Sequence, residues 1–235
     1  FITNLCADTY TDTITDGAGC KDTFSFVVTE PDTLESMISD TTHILCYGDS
    51  TGVAVVTPSA GTGPYSYDWY DAPGGITDST ATGLPSGTYN VEVTDANGCT
   101  DTSTVTITEP SEMLLASDSI PATCTGICTG SAIVIPSGGV EPYNYSWYTI
   151  GGMPTTDTAS GLCADFYNVE VTDFNGCMDT LEVEVTEPSV LSVVEIDSMA
   201  TTCNGSSEGW AVVAGLGGTE PYDYWWDDEL NQTTD

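Results

Sequence analysis

The segment Tyr89–Cys99, YNVEVTDANGC, returns 78 residues later as YNVEVTDFNGC at Tyr167–Cys177, with only Ala96 and Phe174 exchanged. Self-similarity at a fixed period marks a repeat architecture and restricts the fold to what one period of chain can build. Other marks keep the same step. TEP ends at Pro31, Pro110 and Pro188, and NGC or AGC ends at Cys20, Cys99 and Cys177. A cysteine precedes a glycine-containing turn at Cys46, Cys124 and Cys203, and PY begins at Pro64, Pro142 and Pro221. The chain therefore reads as the C-terminal part of one repeat (1–31), two complete repeats (32–110 and 111–188) and the N-terminal part of a following repeat (189–235). With a one-residue gap, Asp235 aligns with Asp157 and Phe1 with Thr158, so both ends are cut in one phase. Two expectations stay open: a window onto a longer array, or the unit of a polymer.

Within a repeat the pattern has period two. Tyr65, Tyr67 and Trp69 alternate with Ser66 and Asp68, as do Tyr143, Tyr145 and Trp147, and Tyr222, Tyr224 and Trp226. Tyr89, Val91 and Val93 alternate with Asn90 and Glu92. Alternating aromatic and β-branched residues broken by Gly, Pro and Asn predict antiparallel strands with one dry face. Trp69, Trp147 and Trp226 are the expected core aromatics. Asn97-Gly98 and Asn175-Gly176 predict two-residue hairpin turns with both central residues at positive φ. Six to seven short strands in under 80 residues predict an all-β chain of tandem small immunoglobulin-like sandwiches. Asp12 breaks the pattern, standing where the complete repeats have Val91 and Val169.

Charge limits the partners. The chain has 36 Asp plus Glu against one Lys or Arg, Lys21, for a formal charge of -35. Aromatic content and strand periodicity rule out a disordered acidic tail, so the charge coats a folded object. No basic patch can form, which excludes nucleic acid and anionic membrane as partners. No apolar run approaches the roughly 20 residues of a membrane-spanning helix.

The nine cysteines predict staples for thin cores in an oxidising compartment, periplasmic or extracellular. The first complete repeat holds only Cys46 and Cys99, so a bridge inside it must join those two. The second has the same pair, Cys124 and Cys177, plus Cys128 and Cys163. The first repeat argues for Cys124–Cys177 and hence Cys128–Cys163. Cys6, Cys20 and Cys203 lack partners within the chain. Zinc is the rival reading, on the Cys124-x-x-x-Cys128 spacing, but the only histidine, His43, aligns with Pro121 and Ala200.

The stretches TCNGSSEGWAVVAGLGGTEPYDYWW, SGTYNVEVTDANGC and VTITEP closely resemble the SprB-type repeat of large adhesins on gliding bacteria. The resemblance covers essentially the whole chain. It implies an extracellular β-sandwich repeat, exported by the type IX secretion system, with no active site.

Candidate chemistry is sparse. One histidine and one lysine, neither repeated, leave carboxylates as the only general bases, and the chain is expected not to be an enzyme. Oxygen ligands on the repeated turn make calcium the candidate ion, through Asp95, Asn97 and Asp101, and Asp173, Asn175 and Asp179. No other cofactor is expected. Asp precedes Ser or Thr at 12 of 22 positions, which makes Thr13, Thr33, Thr41, Ser119, Thr158, Thr180 and Ser198 candidates for O-glycosylation. Asn144, Asn204 and Asn231 stand in N-x-Ser/Thr sequons. Trp210 and Trp225 lack aromatic counterparts in the complete repeats and are contact candidates if exposed.

The expected function is a structural and adhesive array forming a filament, stalk or adhesin shaft on a bacterial surface. Its expected partners are neighbouring repeats of the same chain or identical chains, with surface glycans as further candidates. The alternatives are a glycan- or cell-surface-binding module of a large adhesin and a non-catalytic accessory array of a secreted enzyme.

Overall fold

The computed structural model describes residues 2–148, 154–227 and 233–234; Phe1, Asn231 and Asp235 lie outside the described residues. The chain forms two compact units, Phe1–Glu109 and Pro110–Asp235. All regular structure among the described residues is strand.

The first unit opens with a hairpin, β1 (Asp8–Thr15) and β2 (Lys21–Val28), and continues with β3 (Glu35–Thr42), β4 (Gly52–Ser59), β5 (Ser66–Asp68), β6 (Thr80–Leu84), β7 (Gly87–Thr94) and β8 (Thr100–Ile107). The strands from β3 onward make two three-stranded antiparallel sheets, β3-β4-β6 and β5-β7-β8. This is the division of an immunoglobulin-type sandwich, first, second and fifth strands on one sheet and third, sixth and seventh on the other, without the fourth. Between the sheets lies one core that includes Val56, Trp69, Leu84, Val91, Val93 and Ile107.

The second unit repeats the plan with β9 (Leu114–Ile120), β10 (Gly130–Ser137), β11 (Asn144–Trp147), β12 (Thr158–Leu162), β13 (Asp165–Thr172) and β14 (Met178–Val185). Its sheets are β9-β10-β12 and β11-β13-β14. The trailing part adds β15 (Ser192–Met199) paired with β16 (Trp210–Leu216), and a short pair, β17 (Tyr224–Trp225) and β18 (Thr233–Thr234).

The alternation read from the sequence is realised side chain by side chain. Trp69 and Trp147 are fully buried, and each donates its indole N–H to a backbone carbonyl, of Asp78 and of Thr156, at 2.9 Å. A buried indole needs such a partner because its N–H leaves water on folding. Trp226, the third expected core aromatic, is only half-buried. Asp12 lies exposed on the two-stranded β1-β2 sheet, level with Phe24, so it meets no core there. The first β-bridge of β4 to β6 carries a bulge beside Gly52, and β10 to β12 carries one beside Gly130. A methyl added at Gly52 would stand 2.6 Å from Ile107 Cγ2, and one at Gly130 2.5 Å from Val185 Cγ1. Glycine is needed there because the two sheets close on each other at that point.

Candidate functional site at the two poles of the repeat

Each sandwich has two ends, and the repeated motifs sort between them. One end, the hairpin pole, carries the turn between β7 and β8. Asp95 accepts N–H bonds on Oδ1 from Asn97 and Cys99, both 2.9 Å, and on Oδ2 from Thr62 at 3.0 Å. Asp173 accepts from Cys177 at 2.9 Å and from Val140 at 3.0 Å. Asp16 in the leading hairpin accepts from Cys20 and Ala18 at 2.8 and 2.9 Å. Asp95 and Asp173 are the two buried polar side chains among the described residues, at 6% and 2% exposure. The N–H groups of Cys99 above all, with those of Thr62 and Asn97, hold the Asp95 carboxyl below the usual carboxylate range, and Cys20 and Ala18 do the same for Asp16.

This arrangement corrects the expected two-residue turns. Only Gly98 and Gly176 take positive φ, 83° and 87°; Asn97 does not. Asp95 N–H bonds the Cys99 carbonyl at 2.9 Å and Gly98 N–H the Asp95 carbonyl at 3.0 Å. The loop thus has three residues, a turn followed by a left-handed glycine. The aspartate side chain decides it: by taking two amides from its own loop it stabilises the longer form.

Of the residues expected to hold calcium, Asp95 directs its carboxylate oxygens at the N–H donors given above. Asn97 spends its side-chain amide on the Thr62 hydroxyl at 2.9 Å. Asp101 accepts the N–H and hydroxyl of Ser36 at 2.6 and 2.8 Å, and Asp179 accepts the N–H of Thr180 at 2.8 Å. Among the described residues no group of three or more His, Cys, Asp or Glu is placed to hold a metal ion. His43 accepts the Thr108 N–H through Nδ1 at 3.1 Å.

The other end, the turn pole, carries Cys46 or Cys124. Here Glu109 accepts the Gly48 N–H at 2.7 Å and the Ser86 hydroxyl at 2.6 Å, and Glu187 accepts the Gly126 N–H at 2.7 Å. The Ser86 hydroxyl first, then Gly48, holds the Glu109 carboxyl low. The glutamate of TEP is therefore a clamp that ties the outgoing chain to the cysteine-bearing turn. Its triplicate recurrence at Glu30, Glu109 and Glu187 was the available signal, read from the sequence only as a mark of the repeat.

The cysteines also need correction. Cys128 and Cys163 form a disulfide, although the pairing from which it was inferred, Cys124 with Cys177, does not form. They lie beside Gly130 and Leu162, directly paired residues of β10 and β12, so the bond closes two adjacent strand ends. Cys99 and Cys124 carry free thiols, as do Cys6, Cys20 and Cys203, so neither Cys46–Cys99 nor Cys124–Cys177 forms. Cys46 and Cys177 are disulfide-bonded. The physical reason is distance. Cys99 precedes Thr100 at one end of β8, whereas Ile44 and Gly48 bond Thr108 and Glu109 at the other. An eight-residue strand spans about 23 Å from first to last residue, and a disulfide requires Cα atoms roughly 4.4–6.8 Å apart.

Of the glycosylation candidates, Thr13, Thr33, Thr180 and Ser198 are exposed, and Thr41, Ser119 and Thr158 are half-buried. The excess of Asp-Ser/Thr pairs has a local use: the N–H of Thr41, Ser119, Thr180 and Ser198 each bonds the preceding aspartate at 2.8–2.9 Å. Trp225 and Trp210 are exposed, at 76% and 45%.

The family model of the SprB repeat matches the chain twice, over residues 38–74 and 116–152. The two matches are 78 residues apart and cover the front half of each complete repeat. SprB repeats are of the cell-surface adhesin type, a non-catalytic module. No curated protein matches the chain. Among solved structures, a Dscam structure described as the basis for isoform specificity is similar at 10% identity and a TM-score of 0.30. The N-terminal four Ig domains of Dscam1 isoform 6.44 are similar at 13% and 0.30. Each alignment covers 72% of this chain and 51% of the other, so the chain spans about half the length of the structures it matches.

Proposed function

We propose that the chain is a section of an extracellular repeat array, the shaft of a bacterial surface adhesin or filament, whose work is reach and mechanical persistence rather than catalysis. The observation that carries this reading is the duplication of one self-sufficient sandwich, with the same sheet division, indole bond and aspartate-capped turn in both copies. A fold that closes its own core in each period can be strung indefinitely. The acidic coat opposes lateral aggregation. The disulfide fits an oxidising compartment outside the cytoplasm, reached by the type IX route that the family resemblance implies. A non-catalytic role fits the occupation of Asp95 and Glu109 as backbone caps.

A second reading, glycan or cell-surface binding, is favoured by Trp225, which offers a flat apolar face with 76% of its surface exposed. Electron micrographs of the native assembly test the first reading: long regular fibres with a repeat-sized beading support it. Saturable binding on a glycan array that is lost in Trp225→Ala, with no fibres, would support the second.

A further inference from the structure

The first complete repeat is entered at one pole and left at the other. The Asp32 carbonyl accepts the Gly61 N–H at 3.2 Å, next to Thr62, whose own N–H bonds the Asp95 carboxylate of the hairpin turn. The last strand, β8, ends at the turn pole, where Glu109 accepts the Gly48 N–H. Tension along the chain therefore pulls the start of β3 outward at one pole and the end of β8 outward at the other. Glu109 is the last residue before Pro110, so load from the C-terminal side reaches its carboxylate first.

β3 and β8 lie side by side as edges of the two different sheets, and neither sheet pairs them. Ser36, near the start of β3, donates its N–H and hydroxyl to Asp101, near the start of β8, at 2.6 and 2.8 Å, and shares a bond of 2.8 Å with Ser103. Just past the ends of both strands, Ile44 donates its N–H to the Thr108 carbonyl at 3.0 Å. Thr108 donates its own N–H to His43 Nδ1 at 3.1 Å, and Gly48 to Glu109 at 2.7 Å. Start meets start and end meets end, with partners 65 residues apart at both poles, so the two strands run parallel. Opposed pulls on parallel strands load these six bonds in shear, all together; strands peeled from one end would lose theirs one by one. The second repeat keeps the exit half of this seam. Ala122 donates its N–H to the Thr186 carbonyl at 2.9 Å, Gly126 to Glu187 at 2.7 Å, and the Thr125 hydroxyl to the Pro188 carbonyl at 2.7 Å. At its entry half, Leu115 and Leu181 stand in place of Ser36 and Ser103 and pack against the core.

We propose that the β3–β8 seam, closed by Ser36 and Asp101 at the entry and by Thr108 and Glu109 at the exit, is a shear latch that sets the force at which the first repeat unfolds. The inference deepens the shaft reading and rests on it for its use: a domain strung under tension is protected by whatever joins its first and last strands. Forced unfolding follows the unfolding rate rather than the equilibrium stability, and that rate is slowed by contacts that must break before the barrier is crossed. Carboxylate acceptors suit the task, because charge-assisted hydrogen bonds are roughly twice as strong as neutral ones. The latch makes the two repeats unequal, since only the first has polar bonds at its entry half.

The test is single-molecule stretching of the chain between its termini, with disulfides reduced so that no covalent bond shields the seam. The unfolding force of each variant is set beside its urea midpoint. Ser36→Ala combined with Asp101→Ala removes three of the six bonds and should roughly halve the force of one unfolding step while leaving the other unchanged. Glu109→Ala removes one latch bond outside the strands and should lower the same step by less. Leu84→Ala is the control: it lies in the buried core on β6, the far edge of the sheet from β3. It should lower the urea midpoint more than either latch variant while leaving the force near that of the unaltered chain. An unchanged force in the Ser36→Ala, Asp101→Ala chain overturns the latch, as does a loss of force in Leu84→Ala in proportion to its loss of stability. Forces are read on purified chain, so a native assembly without fibres would sink the shaft reading and leave the latch standing, whereas unchanged forces sink the latch alone.

Discussion

The two complete repeats solve the same packing problem differently. In the first, Ser36 and Ser103 share a hydrogen bond of 2.8 Å, and Ser36 also binds Asp101. In the second, Leu115 occupies the register of Ser36, opposite Pro136 rather than Pro58, and Leu181 replaces Ser103; both leucines pack against the core. The first repeat has a bulge between Ile38 and Asp40 that the second lacks. The second adds the Cys128–Cys163 disulfide where the first has Ser50 and Pro85. Yet strand order, indole bond and aspartate cap are common to both. The difference teaches that core and caps specify the sandwich, while polar network and disulfide are local additions.

The strongest way to break that account is at the tryptophans. Trp69→Ala should cost its repeat about 3–5 kcal/mol, and Trp147→Ala the same in the second. Hydrogen-exchange mass spectrometry should show deprotection confined to 32–109 in one case and 110–188 in the other. Reducing the Cys128–Cys163 bond, with its sequence separation of 35, should weaken the second repeat by about 3–4 kcal/mol in the chain-entropy model. The first repeat should not change, and both should remain folded. Gly52→Ala, facing Ile107 Cγ2, should cost about 1–3 kcal/mol by overpacking, read as a lower Tm for the first repeat.

Acid distinguishes the repeats more gently. Asp95, Asp101 and Glu109 have folded-state pKa values held below the ordinary range by hydrogen bonds, for Asp101 from the Ser36 hydroxyl and then its N–H. Their stabilisation is present above about pH 4, the unfolded value, and is lost as pH falls through the depressed folded values. Replacing Ser36 and Ser103 with leucine together, as in the second repeat, should move the acid midpoint of the first repeat, followed by Trp69 fluorescence, to lower pH. The smallest effect is at Ala60, held at φ 59° where the second repeat has Gly138. Ala60→Gly should stabilise the first repeat by about 1 kcal/mol or less.

The sandwich was legible because its signal is local. Alternation places Tyr89, Val91 and Val93 on one face whatever the rest of the chain does, and Trp69 and Trp147 follow from the same parity. The cysteine pairs were not legible, because spacing along the chain says nothing about which pole a residue occupies; Cys46 and Cys99 are separated by a whole strand length. The hairpin turn was misread because Asn-Gly advertises a two-residue loop, and only the hydrogen bonds of the Asp95 side chain select the three-residue form. The capping role of Asp95 and Asp173 was hidden for the same reason: sequence lists oxygens without showing which donors meet them.

The central claim is that each period folds on its own core and can bear load alone. Stretching the chain between its termini in an optical trap or by atomic force, under reducing conditions, tests it directly. The account predicts two discrete unfolding steps, each releasing roughly 20–25 nm for one 78-residue repeat. A smooth extension without steps, or a single cooperative step releasing both repeats together, would contradict it.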